Sequence, residues 1–120
     1  MKMATRTVDS SRRYKLIPQA RAYDEMRLRW VPHLMYTNPA NYQSDICNTD
    51  EHGFRLTHKG SEVLDFKAFQ QAARPKALLC GGSTVFGVGA AGDLATMASV
   101  LNRDCSDTWF NFGAMAHTST

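Results

Sequence analysis

Apolar residues recur at different spacings along this chain, and each spacing predicts a different element. Between Ala20 and Tyr36, apolar Tyr23, Met26, Leu28, Trp30 and Val31 alternate with arginines. This predicts a helix that starts near Ala20 and stops near Trp30, because Pro32 disfavours a helical residue before it. From Ser61 to Ala73, Val63, Leu64, Phe66 and Phe69 with Ala68 and Ala72 predict a second amphipathic helix, closed by Arg74-Pro75. Between them, Thr37 to Gly60 is rich in turn signals such as Asn38-Pro39 and His52-Gly53. There Phe54 and Leu56 flank Arg55 in a short alternating stretch that suits a strand edge.

The pattern changes at Lys76. Ala77 to Cys80 is a continuous apolar run closed by Gly81-Gly82, which reads as a buried parallel strand, apolar on both faces. After a glycine-rich turn, Leu94, Met97, Ala98 and Leu101 fall at helical spacing, with Asp93 as the expected N-cap. The aromatic run Thr108 to Phe112 reads as a second strand. Strand, helix, strand in this order is a βαβ unit and predicts an α/β fold with a parallel sheet. Met1 to Arg13 is polar and reads as a disordered leader.

Composition adds limits. The chain has 120 residues, 43% hydrophobic and 21% charged, which suits one ordinary domain or a piece of a larger one. The net charge of +3 is mild, and the basic cluster Arg12, Arg13, Lys15 reads as a solvated face rather than a nucleic-acid stripe. No apolar run approaches the roughly 20 residues of a membrane span. The polar N-terminus lacks the apolar core of a signal peptide, so a cytoplasmic location is the expectation. Cys47, Cys80 and Cys105 form no Cys-x-x-Cys pair, and their odd number fits a reducing compartment. No His, Cys or Asp cluster has metal-ligand spacing, and no cofactor is expected.

The chemistry concentrates in GGSTVFG, Gly81 to Gly87, directly after the apolar strand. Ligands of open parallel sheets bind outside the carboxyl ends of the strands. A serine on such a turn can expose its hydroxyl and aim its own N–H at a developing oxyanion. Glycine and serine are also ordinary turn residues, so spacing alone leaves a plain turn open. Gly87 to Gly92 matches the dinucleotide pattern G-x-G-x-x-G, but a true fingerprint follows its strand at once and here GGSTVF intervenes. The aromatic residues Trp30, Trp109, Phe110 and Phe112 read as core. Arg55 has two open readings, an ion pair that pins the N-terminal segment onto the α/β core, or a solvated charge.

KALLCGGSTVFGVG resembles the first conserved block of the SGNH (GDSL-type) serine hydrolases, written Gly-Gly-Ser-Thr-x-x-Gly in one bacterial branch. NFGAMAHTST is similar to the second block, and NTDEHGFR, Asn48 to Arg55, to an element that precedes the first. The resemblance implies a flavodoxin-like, three-layer parallel sheet starting at residue 76, with residues 14–75 as an accessory helical and loop segment. It implies Ser83 as nucleophile and oxyanion N–H donor, Gly113 as second N–H donor, and a small-molecule ester as substrate. The family's later Asn and Asp-x-x-His elements have no counterpart in this sequence. Of the four histidines, His117 is a candidate substitute base but reads as a loop residue, His52 as part of the Gly-Phe-Arg turn, and His33 and His58 as exposed. The expectation is an incomplete hydrolase with little activity alone. The alternatives are a non-catalytic half-site module that needs a C-terminal complementing chain, and a nucleotide-binding module.

Overall fold

The computed structural model describes residues 10–115. Most of the expected leader, residues 1–9, and His117 lie outside the described residues. Helix α1 (Ser10–Leu16) includes the last residues assigned to that leader. It is tied down by Arg13 Nη1 and Tyr14 Oη, which both donate to Asp24 Oδ2, at 2.6 and 2.9 Å. Asp24 ends helix α2 (Ala20–Asp24), whose Ala20 and Tyr23 are buried.

The helix expected to reach Trp30 is therefore shorter. Its second half is a hairpin, β1 (Arg29–Val31) and β2 (Met35–Thr37), paired antiparallel with Trp30 opposite Tyr36. The two rings meet edge to face at 5.2 Å. Such a cross-strand aromatic pair stabilises a hairpin, and Pro32, read as a helix stop, sits in its loop. The second expected helix is also split. Glu62–Leu64 is strand β4, antiparallel to β3 (Thr57–Lys59) across a turn that contains Gly60 at φ 61°. Helix α3 (Phe66–Gln71) starts only after Asp65, whose carboxylate accepts from Ala68 N–H at 2.7 Å. That N-cap fixes the boundary, because it satisfies a donor of the first turn.

Strand β5 (Lys76–Gly81) runs parallel to β6 (Thr108–Gly113), in register from Lys76 opposite Thr108 to Gly81 opposite Gly113. Between them lie α4 (Ser83–Phe86), a 3₁₀ turn at Asp93–Ala95, and α5 (Met97–Asp104). Asn102 of α5 grips β6, accepting from Trp109 N–H at 2.6 Å and donating to Trp109 O at 2.8 Å. The expected βαβ order and parallel pairing are thus present, and the chain is α/β. Among the described residues β5 pairs with β6 alone. Strand β5 is not buried on both faces as its apolar run suggested, and Leu78 is 46% exposed.

Two apolar clusters organise the packing. Leu64, Phe69 and Phe110 form one, with Phe54, Phe66 and Phe112 against it. Tyr23, Met26, Cys47 and Phe86 form the other. Among the described residues no helix is long and apolar enough to cross a membrane.

Candidate active site

Ser83 is the first residue of α4, capped by Gly82, and is exposed. Glycine is required around it for steric reasons. A Cβ on Gly81 would come within 2.5 Å of Val85 Cγ2. A Cβ on Gly113 would strike the Phe86 backbone N and lie 2.7 Å from Phe86 Cα. Helix α4 therefore sits directly on the end of β6. This seating puts Ser83 at the carboxyl ends of both parallel strands, where such sheets hold ligands. At its other end α4 closes on Gly87, at φ 94° in the left-handed region that ends helices.

The C-terminal end of α4 is held by side chains. Asn111, fully buried on β6, donates from Nδ2 to Phe86 O at 3.2 Å. Arg55 Nη1 donates to Phe86 O at 3.2 Å and Gly87 O at 2.9 Å. Arg55 is itself fully buried. Its Nε donates to Asp93 Oδ1 at 2.7 Å, its Nη2 to Ile46 O at 2.8 Å, and its guanidinium lies 5.5 Å from the ring centroids of Tyr23 and Phe86. Asp93 accepts in addition from Asn48 Nδ2 at 2.7 Å and Asn48 N–H at 3.3 Å. Of the two readings of Arg55, the ion pair is the one observed. Asp93, expected as an N-cap, is instead the buried counter-ion. Thr96 caps α5.

Gly113 departs from the expected role. Its N–H donates to Asn111 Oδ1 at 3.0 Å and its carbonyl accepts from Asn38 Nδ2 at 2.9 Å. The N–H assigned to an oxyanion is thus engaged within the chain, and what the geometry demands of Gly113 is the absence of a side chain. Ser83 has no hydrogen bond to a histidine among the described residues. His33 lies in the hairpin loop, and His58 in β3 has its backbone N–H and carbonyl bonded to Ser99 and Asn102. His52 Nε2 lies 3.4 Å from Glu51 Oε1. The sequence reading missed that His52 also lines a cleft of about 760 Å³ at the strand ends, together with Gly82, Gly113, Phe54, Phe112 and the hairpin. Only its place in the Gly-Phe-Arg element hinted at this.

The glycine pattern after α4 has a different use. Gly89 O accepts from Gln19 Nε2 at 3.1 Å and Ala90 O from Tyr23 Oη at 2.8 Å. These contacts dock α2 on the loop that follows α4. Among the described residues no three His, Cys, Asp or Glu side chains converge as a metal would require.

Cys47 is fully buried between α2 and α4, and burial pushes its thiol from the ordinary 9.0 up to about 12, partly offset by the nearby Arg55 charge. The unfolded thiol ionises first, so the unfolded state sheds protons that the folded state keeps. Stability should therefore be complete below pH 9.0 and fall as pH rises toward about 12. Melting temperatures across that range should fall less steeply in Cys47→Ala. Some slope should remain, because burial also raises the Tyr23 phenol.

No protein-family model matches the chain, and no curated protein matches it significantly. The fold and site define an α/β chain that carries an exposed serine on a strand-to-helix turn, beside a cleft at the ends of two parallel strands.

Proposed function

We propose that the chain is the nucleophile-bearing part of an SGNH-type serine ester hydrolase, with β5 and β6 belonging to a three-layer, flavodoxin-like parallel sheet. The observation that carries this reading is the placement of Ser83. It is exposed, it opens α4 at the strand ends, and it lies next in sequence to Gly82 in the cleft wall. The first N–H groups of a helix have no intrahelical acceptor, so the Ser83 N–H is a ready oxyanion donor. Ser83 Oγ attacks the ester carbonyl, the alkoxide leaves with a proton, and water hydrolyses the acyl-serine. Gly113 N–H, the second donor in this reading, is bonded to Asn111 Oδ1 before substrate arrives.

A serine hydroxyl needs an adjacent base to react quickly near neutral pH. No described histidine reaches Ser83, so this reading assigns the base to a segment outside the described residues or to a complementing chain. The same observation favours the second reading, a non-catalytic half-site module. The free cysteines Cys47, Cys80 and Cys105 support a reducing, cytoplasmic setting for either.

Prolonged exposure to a fluorophosphonate probe, followed by intact-mass measurement, tests the assignment. The expected result is slow addition of one adduct, lost in Ser83→Ala, with little steady turnover of p-nitrophenyl acetate. An adduct that persists in Ser83→Ala would overturn it, and so would a wild-type chain that never reacts.

A further inference from the structure

We infer that the cleft beside Ser83 takes an amphiphilic anion, an apolar chain or ring that carries a carboxylate or phosphate, and that the substrate is an ester of this class. The substrate assignment rests on the hydrolase reading above; the binding assignment does not. The cleft, at about 760 Å³, falls within the roughly 300–1,000 Å³ of small-molecule sites. One wall is Phe54 stacked on Phe112 at 4.4 Å, and the other is Val31 and Leu34 of the hairpin. Most polar groups along it are already engaged. Asn38 uses its amide N–H on Gly113 O and its amide oxygen on Met115 N–H, both at 2.9 Å. Thr37 Oγ1 is bonded to Arg29 Nε and to Arg29 O, each at 3.4 Å.

The exception is the Arg29 guanidinium. It has five N–H donors, and its hydrogen bonds are two long ones, Nε to Thr37 Oγ1 at 3.4 Å and Nη2 to His52 O at 3.3 Å. Among the described residues no carboxylate pairs with it. No Asp or Glu lines the cleft, and Glu51 is turned to the His52 ring. Arg29 is exposed at the cleft rim, and a cation without a counter-ion beside the apolar walls of Val31, Leu34, Phe54 and Phe112 is complementary to an anion with an apolar tail. The planar guanidinium fork matches carboxylate and phosphate oxygens in pairs.

The test is titration of octanoate, octyl phosphate, octan-1-ol and acetate into isotope-labelled Ser83→Ala protein, followed by backbone amide NMR. Octanoate or octyl phosphate should shift the Val31, Leu34, Phe54 and Gly113 amides. The better of the two should bind about ten-fold tighter than octan-1-ol, the gain expected of a charge-assisted pair, and so identify the anionic group. Acetate, which lacks the tail, should not bind. Arg29→Gln should bring the anions to the level of the alcohol. Leu34→Glu, on an exposed loop, should abolish anion binding while the fold persists. Equal binding of the alcohol and both anions, or no loss in Arg29→Gln, would overturn the inference. Anion binding by a chain whose Ser83 proves inert removes the hydrolysis and leaves the binding assignment. Hydrolysis with no preference for anionic esters does the reverse.

Discussion

Asp93→Ala should destabilise the protein by about 3–5 kcal/mol, the cost of leaving one member of a buried ion pair without its partner. The Arg55 side chain is fully buried and that of Asp93 is 7% exposed. The substitution leaves a guanidinium in a dry site with carbonyls but no counter-ion. It also takes the acceptor from Asn48 Nδ2, which is only partly buried, so its loss adds less than a buried donor would. The same reasoning predicts strong non-additivity. A buried pair contributes little net stability relative to apolar residues of similar volume, so Arg55→Met with Asp93→Leu should cost less than Asp93→Ala alone. Urea denaturation of the single and double variants measures this. Additive losses would mean that the two side chains are not energetically coupled.

Gly113→Ala should cost about 1–3 kcal/mol or more, as overpacking does in a close-packed interior. The added methyl meets the Phe86 backbone and, at 2.8 Å, the Val85 carbonyl carbon. Backbone cannot rotate away like the end of a side chain, so α4 has to lift from the strand, and Ser83 moves with it. Gly92→Ala is the matched control. Gly92 has extended φ of 177°, and nothing lies within 4 Å of a Cβ there. Thermal denaturation should separate the two variants. The Phe86 and Gly87 amide resonances should shift in Gly113→Ala and hold in Gly92→Ala. A Gly113→Ala protein with unchanged stability would show that α4 is loosely seated.

The parallel strand pair and the Ser83 turn were legible because short-range features specify them: an apolar run, a glycine pair, an aromatic run. The hairpin Arg29–Thr37 was hidden because Trp30 and Tyr36 pair across strands, a relation that helical spacing cannot register. Val63 and Leu64 fit a helical period, yet pairing of β4 with β3 overrode it, and Asp65 carried the true start signal. Asp93 and Thr96 are both good caps by residue type. What decided between them was Arg55, 38 residues earlier in sequence. The sequence left the Arg55 ion pair open beside a solvated charge and named no partner, because charge by itself predicts exposure. The cleft was hidden too, since Arg29, Phe54 and Phe112 meet only after folding.

The contacts across the Pro75 boundary bear on how the molecule comes apart. Arg55 reaches Asp93, Asn38 reaches Gly113 and Met115, Tyr23 reaches Ala90, and Thr57 Oγ1 accepts from Asn111 N–H. Each joins the accessory segment to the chain that follows Pro75. Local opening follows lines along which few buried contacts cross, and Pro75 is not such a line. The segment before it and the βαβ unit after it should therefore unfold as one cooperative unit, with heat or denaturant releasing both together.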